Sequence, residues 1–207
     1  MKQMITYLLA AFFTFSTVHD AAAQDRFPEK PEDISPLLIG EQVPAVMLSD
    51  ASGKTIDLKA AIAAKPTILI FYRGGWCPYC NIQLSGLQQI EEELSNTGYQ
   101  VIAVSTDKPE NLQKSITKDK LAYTLLSDAD LTLAKQMGIA YVAPQQYSKI
   151  ITEGSGGKNT EKLLPVPSVF ILNKKGEIRF EYIEPDFKKR ISKDLLRAVA
   201  LALYKEL

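Results

Sequence analysis

The sequence predicts an α/β fold in which helices cover a central parallel or mixed sheet. A continuous run of β-branched and aromatic residues, Thr67 to Tyr72, is typical of a strand buried on both faces. An amphipathic helical pattern then leads to a second strand, Gln100 to Ser105, and another helical stretch begins at Pro109. This β-α-β-α alternation is typical of parallel strands joined by crossover helices.

The remaining elements follow from local patterns along the chain. Apolar stretches on either side of the turn residues 50–53 predict a β-hairpin near the start of the domain. The turn at 173–176 predicts a second hairpin. Spacings of three to four residues predict helices, and the Gly-rich segment 139–164 is interpreted as one long loop. The predicted strands are 43–48, 55–58, 67–72, 100–105, 168–172 and 177–182, and the predicted helices are 59–64, 78–96, 109–118, 129–137 and 192–207.

Composition and charge restrict the classes of function. The chain has 207 residues, 46% hydrophobic and 23% charged, as in an ordinary folded domain. We expect one domain, residues 40–207, preceded by an extended lead-in at 24–39. Lys plus Arg and Asp plus Glu both number 24, so the net charge is zero. Because no excess positive charge is available to neutralise phosphates, no nucleic-acid partner is expected.

Residues 1–23 show the pattern of a secretory signal peptide. A lysine near the start is followed by an uncharged run from Ile5 to Val18, and the small residues Ala21 and Ala23 fit a cleavage site. The run is shorter than the ~20 residues that a membrane-spanning helix needs, so stable membrane insertion is not expected. We therefore expect secretion across the inner membrane into the bacterial periplasm.

The chain contains few residues able to carry nucleophilic or metal chemistry. Its one histidine, His19, lies in the predicted signal segment, so the mature chain has no imidazole for a catalytic triad, a Cys-His pair or a zinc site. Its two cysteines, Cys77 and Cys80, form one C-x-x-C motif between the central strand and the following helix. No cofactor is expected.

Three interpretations of the C-x-x-C motif compete. A structural disulfide closing so short a loop stabilises little, and a metal site lacks two further ligands. A redox dithiol needs only two sulfurs near a helix N-terminus, whose dipole favours a thiolate. A module that holds Cu(I) between two thiolates is a remote alternative.

The neighbouring residues suggest roles in a redox site. Pro78 suits the first helical turn, which makes Cys77 the more exposed, attacking sulfur and Cys80 the resolving sulfur. Arg73 either adds positive charge near the thiolate or is a solvated loop residue. Trp76 either shields the site from water or only packs there.

Two segments resemble the peroxiredoxin-like branch of the alkyl hydroperoxide reductase/thiol-specific antioxidant (AhpC/TSA) family, in the thioredoxin superfamily. They are FYRGGWCPYCNIQL and LLPVPSVFILNKKGEIRFEYIEPDF, and the resemblance runs over residues 40–205. It implies a thioredoxin-like fold with a central mixed sheet and an N-terminal β-hairpin extension. It also implies a cis-proline at Pro167 facing the dithiol, with Val166 binding substrate. The predicted substrate-binding residues are thus Arg73, Trp76, Pro78, Val166 and Pro167.

The resemblance leaves two activities open. Setting Cys80 on the family's peroxidatic cysteine places Cys77, Arg73 and Pro167 on its usual Thr, Pro and Arg, so all three supporting positions differ. In this alignment Cys80 attacks the peroxide and Cys77 resolves the sulfenic acid, the reverse of the assignment above, and both orders stay open. An antioxidant thiol peroxidase acting on hydroperoxides and a periplasmic thioredoxin-like reductase acting on protein disulfides therefore both remain. Either activity implies a thiol electron donor, a thioredoxin-like protein or a membrane thiol relay.

Overall fold

The computed structural model describes residues 27–207, and the predicted signal segment, residues 1–23, lies outside that range. Strands and helices alternate along most of the chain. The strands are β1 (Met47–Asp50), β2 (Thr55–Asp57), β3 (Thr67–Tyr72), β4 (Gln100–Ser105), β5 (Thr124–Ser127), β6 (Ala140–Val142), β7 (Leu163–Pro165), β8 (Ser168–Leu172) and β9 (Ile178–Ile183). The helices are α1 (Leu58–Ala64), α2 (Pro78–Gln88), α3 (Glu91–Thr97), α4 (Pro109–Asp119), α5 (Thr132–Gln136), α6 (Ser148–Gly154) and α7 (Lys193–Leu203).

A seven-stranded mixed sheet with the order β2-β1-β5-β4-β3-β8-β9 forms the centre of the fold. Strand β3 is buried along its whole length, pairs in parallel with β4 and pairs antiparallel with β8. The register places Tyr72 opposite Ser105, so β3 and β4 end at the same edge of the sheet. The predicted fold class is confirmed, and both central strands have their predicted bounds.

Helices cover both faces of the sheet. Side chains alternate along β3, so Ile70 and Tyr72 lie in one core cluster with residues of α2, α3, α4 and α7. Leu69 and Phe71 lie in the opposite cluster with residues of α1 and α5. Both cysteines belong to the first cluster. The dithiol therefore lies against the hydrophobic core.

The predicted helix at 78–96 is two helices. Helix α2 ends at Gln88, and Ile90 leaves the helical region with φ −115° and ψ 0°. Three glutamates, residues 91–93, occupy the first turn of α3, where negative charge interacts favourably with a helix N-terminus. Gly98, with φ +115°, ends α3 in the left-handed region. The acidic run marks the second helix start, which apolar periodicity alone did not show.

The segment 139–164, predicted as one loop, is folded. Strands β6 and β7 pair antiparallel, with Ala140 opposite Pro165, and α6 lies between them. The Asn159 side chain bonds both the N–H and the C=O of Leu163 and so fixes the return of the chain. Elements of three to seven residues are too short for hydrophobic periodicity to reveal. The same reason explains why β5 was not predicted.

The N-terminal hairpin continues the main sheet. Strands β1 and β2 pair antiparallel as predicted, and β1 also pairs with β5. The lead-in before it packs on the domain through Phe27, Ile34 and Leu37, and the Leu37 N–H donates to the Met137 carbonyl. Within residues 27–207, no helix has the length and apolar character that crossing a bilayer requires.

Candidate active site

The two cysteines lie where β3 passes into α2. Cys77 is the residue before the first turn of α2, Pro78 is the first helical residue and Cys80 lies one turn inside. The Cys77 carbonyl accepts the N–H groups of Cys80 and Asn81, each at 3.1 Å. Both cysteines are free thiols. Proline is favourable at this position because the first helical N–H has no intrahelical partner.

Both sulfur-bearing residues are buried. Cys77 is 1% exposed and Cys80 is 0% exposed. Exposure therefore does not distinguish the two cysteines, although Cys77 was predicted to be the more exposed. The half-buried Trp76 packs against the core cluster that contains both cysteines, and it contacts Tyr147 of the segment 139–164 at 5.5 Å between ring centroids. This segment therefore supplies part of the cover over the site.

Arg73 is a buried cation, 1% exposed, next to the dithiol. Its guanidinium carbon lies 4.8 Å from the Trp76 ring centroid, 4.4 Å from that of Tyr147 and 4.3 Å from that of Phe187. We call these three rings the aromatic cage. Cation–π contacts of this kind stabilise a desolvated cation. Within the described residues, the Arg73 Nε and Nη2 atoms have no hydrogen-bond acceptor.

The two thiols differ in acidity. The pKa of Cys77 is lowered to about 6, chiefly because the Cys80 thiol donates a hydrogen bond to it. Burial opposes this shift, while the Cys80 N–H and the positive charges of Arg73 and Arg190 support it. The pKa of Cys80 is raised well above its usual value by burial first and by its bond to Cys77 second. At neutral pH the pair is therefore a Cys77 thiolate beside a Cys80 thiol.

A second arginine approaches the dithiol from the loop between β9 and α7. The Arg190 Nη2 atom lies 3.5 Å from the Cys80 Sγ atom. Arg190 is 110 positions from Cys80 in sequence. No local motif in the sequence marks this contact, and the sequence analysis missed it.

A buried carboxylate holds the loop that precedes Cys77. Asp107 is 1% exposed, and its Oδ2 atom accepts the Gly75 N–H at 2.6 Å. The neighbouring Thr106 hydroxyl donates to the Arg73 carbonyl at 3.0 Å. Burial raises the pKa of Asp107 to about 6, against the opposing hydrogen bonds from Gly75 and Ser105. The sequence indicates that Thr106 and Asp107 lie near the site, because they directly follow β4, a strand predicted to lie parallel to β3.

A cavity of about 440 Å³ lies beside this loop. Trp76, Asp107 and Glu153 line it together with three lysines of α4 and its approach, Lys108, Lys114 and Lys118. The cysteines are not among its lining residues. The cavity therefore borders the loop that carries Trp76 without reaching the sulfurs.

Val166 and Pro167 do not have the predicted thioredoxin geometry. No peptide bond among residues 27–207 is cis, so the cis-proline expected at Pro167 was wrong. The Val166 N–H donates to the Ile139 carbonyl, and the Val166 carbonyl accepts the Ser168 hydroxyl. Both main-chain groups of Val166 are thus used by the fold. The Val166 side chain packs in a small apolar cluster with Trp76 and Tyr147, and its predicted role in substrate binding stays a prediction.

The described residues offer no ready-made metal centre. No group of three or more His, Cys, Asp or Glu side chains in the described part of the chain is placed to hold an ion. The sulfur pair and its two neighbouring arginines are therefore the candidate reactive group.

Known proteins resemble the chain in sequence. The profile of the AhpC/TSA family matches residues 39–181. Peroxiredoxin Bcp of Escherichia coli K12 is 34% identical over 106 residues, which cover 51% of this chain and 67% of that protein. Chloroplastic peroxiredoxin Q of Populus jackii is 26% identical over 143 residues, which cover 69% of this chain and 59% of that protein.

Solved structures share the fold. Peroxidoxin BcpB from Mycobacterium tuberculosis matches with a TM-score of 0.65 at 21% identity, covering 82% of this chain and 97% of the other. Reduced Prx3 from Vibrio vulnificus in complex with hydrogen peroxide matches with a TM-score of 0.66 at 17% identity, covering 79% and 99%. These likenesses establish the thioredoxin-like fold. Because the family profile spans well over half of the chain, the protein belongs to the AhpC/TSA family, as the segments around its cysteines and late hairpin predicted.

Proposed function

We propose that this thiol-dependent oxidoreductase is an antioxidant peroxidase that reduces small hydroperoxides through the Cys77/Cys80 pair. One observation carries the proposal. The residue with the acidic thiol, Cys77, is 1% exposed, so a small oxidant is a better match to the site than a folded protein substrate. The peroxiredoxin names of the relatives support the same chemistry.

The proposed first step is attack of the Cys77 thiolate on one peroxide oxygen. An S–O bond forms, the O–O bond breaks, and the leaving oxygen takes a proton to become water or an alcohol. Cys77 becomes a sulfenic acid. Cys80 then attacks the Cys77 sulfur, expels hydroxide that is protonated to water, and forms a Cys77–Cys80 disulfide. Two equivalents of an external thiol restore both thiols and leave as a disulfide.

Arg73 supplies the positive charge that the family's usual supporting residues do not provide here. Its charge is among the causes that lower the pKa of Cys77, and its Nε and Nη2 groups are buried without an acceptor in the described chain. Buried donors that are already oriented stabilise developing negative charge without reorganisation. We therefore assign to Arg73 the stabilisation of the peroxide oxygen that leaves.

Exchange with a protein disulfide is the competing activity. The C-x-x-C motif and the acidic Cys77 thiol are compatible with it. However, a protein disulfide must reach the Cys77 Sγ atom in the reduced site, where Cys77 is 1% exposed, so this exchange requires the cover to move before its first step. In the peroxidase cycle an external thiol is needed only after the site has been oxidised. The covered site therefore favours the peroxidase.

A substrate comparison tests the proposal. Reduced protein is given hydrogen peroxide, cumene hydroperoxide or an insulin disulfide, with dithiothreitol as the common reductant. We expect turnover with the hydroperoxides that is lost in Cys77→Ser and retained in the control Ser85→Ala on the same helix. Faster turnover of insulin than of both hydroperoxides would establish the disulfide reductase instead. Loss of peroxide turnover in Cys80→Ser with an unchanged first oxidation identifies Cys80 as the resolving residue.

The proposal also includes a periplasmic location. It is supported by the signal-peptide pattern of residues 1–23. Fractionation of cells expressing the full chain tests it, and a chain recovered uncleaved from the cytoplasm would contradict it.

A further inference from the structure

Arg190, which contacts Cys80, does not occupy any of the three positions where the family usually has supporting residues, namely those of Cys77, Arg73 and Pro167. We propose that Arg190 is a catalytic residue that stabilises the thiolate of Cys80 each time this sulfur becomes negatively charged. The role differs from that of Arg73, which belongs to the Cys77 side of the site.

The loop between β9 and α7 holds the Arg190 guanidinium in place. Its Nη1 atom donates to the carbonyls of Phe187 and Lys189, which leaves Nη2 directed to the Cys80 sulfur at 3.5 Å. Within the loop, the Lys189 N–H donates to the Asp186 carbonyl and so closes a turn just before Arg190. Ser192 then caps α7 by accepting the Leu195 N–H. A guanidinium fixed by two carbonyls loses little further entropy when it binds an anion.

Cys80 needs such a partner because its surroundings disfavour charge. Its side chain is in the apolar core cluster and is fully buried. The ionisable groups that face Cys80 are Cys77, Tyr72 and Arg190. The main-chain N–H of Arg73 also points to the Cys80 sulfur. Cys77 and Tyr72 add negative charge or none, so Arg190 is the cation in hydrogen-bond contact with Cys80. A charge-assisted bond of this type compensates for lost hydration.

The proposed cycle requires a Cys80 thiolate twice. In resolution, Cys80 loses its proton, its sulfur bonds to the Cys77 sulfur, and hydroxide leaves the sulfenic acid and is protonated to water. In reduction, a donor thiolate bonds to the Cys77 sulfur, the Cys77–Cys80 bond breaks, and Cys80 leaves with the electron pair. A second donor thiolate then releases Cys77, and the donor leaves as a disulfide. These kinetic consequences rest on the proposed function, whereas the thiolate contact does not.

Titration of Cys80 alone tests the contact without any peroxide. In Cys77→Ser, Cys80 is the remaining cysteine of the chain, so ultraviolet thiolate absorbance reports only its ionisation. We expect Arg190→Gln in this background to raise the apparent pKa of Cys80 by about one unit, a roughly tenfold loss of thiolate at fixed pH. Lys188→Gln is the matched control, because Lys188 has the same charge, lies two residues from Arg190 and lines with it a second cavity, beside Tyr79 and Ile82 of α2. Equal shifts in both variants would overturn the proposal.

A second measurement separates failure of this proposal from failure of the proposed function. The Cys77–Cys80 disulfide, formed with diamide in the chain that keeps both cysteines, is reduced by dithiothreitol under single-turnover conditions. We expect Arg190→Gln to slow the reduction severalfold relative to Lys188→Gln, because a leaving thiol with a higher pKa departs more slowly. Unchanged reduction would contradict a role for Arg190, even if peroxide turnover is normal. Slowed reduction without peroxide turnover would support Arg190 and reject the peroxidase. Circular dichroism confirms that the compared variants fold.

Discussion

The hydrogen bond between the two thiols is the largest influence on the acidity of Cys77. It is the first cause of a pKa of about 6 in a thiol whose ordinary value is 9.0. At pH 7 a thiol with this pKa is roughly nine-tenths thiolate. Replacing Cys80 by alanine removes the donor and leaves Arg73 and Arg190 in place. We expect the pKa of Cys77 to rise by about two units, which lowers its thiolate fraction at pH 7 to roughly one-tenth.

Thiolate absorbance as a function of pH measures this change directly. Cys80→Ser is the matched control, because a serine hydroxyl can donate in place of the thiol. We expect Cys77 in Cys80→Ser to remain more acidic than in Cys80→Ala by at least one unit, which is a tenfold difference in ionisation. If both variants keep a Cys77 pKa near 6, the bond from Cys80 does not set the acidity of Cys77. The arginine charges and the helix terminus would then account for it.

Three further predictions concern the surroundings of the site. Burial raises the pKa of Asp107 from 3.8 to about 6, so its contribution to stability is fully present below pH 4 and is lost as the pH rises through 6. In urea unfolding, the free energy of unfolding of Asp107→Asn should therefore rise relative to that of the unmodified chain by up to about 3 kcal/mol between pH 4 and 7, and parallel curves would contradict this. Gly138→Ala should lower the free energy of unfolding by more than about 1 kcal/mol, because the new Cβ would lie 1.9 Å from the Ser35 carbonyl oxygen of the lead-in. Gly157→Ala is the control and should lower it less, because Gly157 also has a positive φ but has open space around it. Tyr147→Ala removes one ring of the aromatic cage, so it should speed the reaction of the dithiol with a bulky aromatic disulfide more than its reaction with hydrogen peroxide. Equal effects on both reactions, or the same effect in the control Tyr204→Ala, would show that the cage does not restrict access to the dithiol.

The sequence was most informative where hydrophobic patterns are long. Strands β3 and β4 have the predicted bounds because each is a continuous apolar run that ends at turn residues or at a glycine. The position of the cysteines between β3 and α2 followed from the same runs. The folding of segment 139–164 did not, because its elements have only three to seven residues and are held by single side chains such as Asn159.

The chemistry around the sulfurs was less accessible to prediction. Arg73 was identifiable from the motif, but whether it is buried or solvated was not, because its burial depends on the distant rings of Tyr147 and Phe187. Arg190 reaches Cys80 only through the tertiary fold. Asp107 was foreseeable in principle, since the ends of adjacent parallel strands meet. Local motifs therefore identified the candidate reacting atoms, and the fold places charged side chains beside them.

Rapid mixing of the reduced protein with hydrogen peroxide tests the central claim most directly. Trp76 is the only tryptophan of the chain and adjoins Cys77, so its fluorescence reports oxidation of the site. We predict a peroxide-dependent signal change that precedes formation of a Cys77–Cys80 disulfide, identified by mass spectrometry of the quenched peptides. The first phase should persist in Cys80→Ser and disappear in Cys77→Ser. Absence of peroxide-dependent oxidation, together with rapid oxidation by a protein disulfide, would contradict the account.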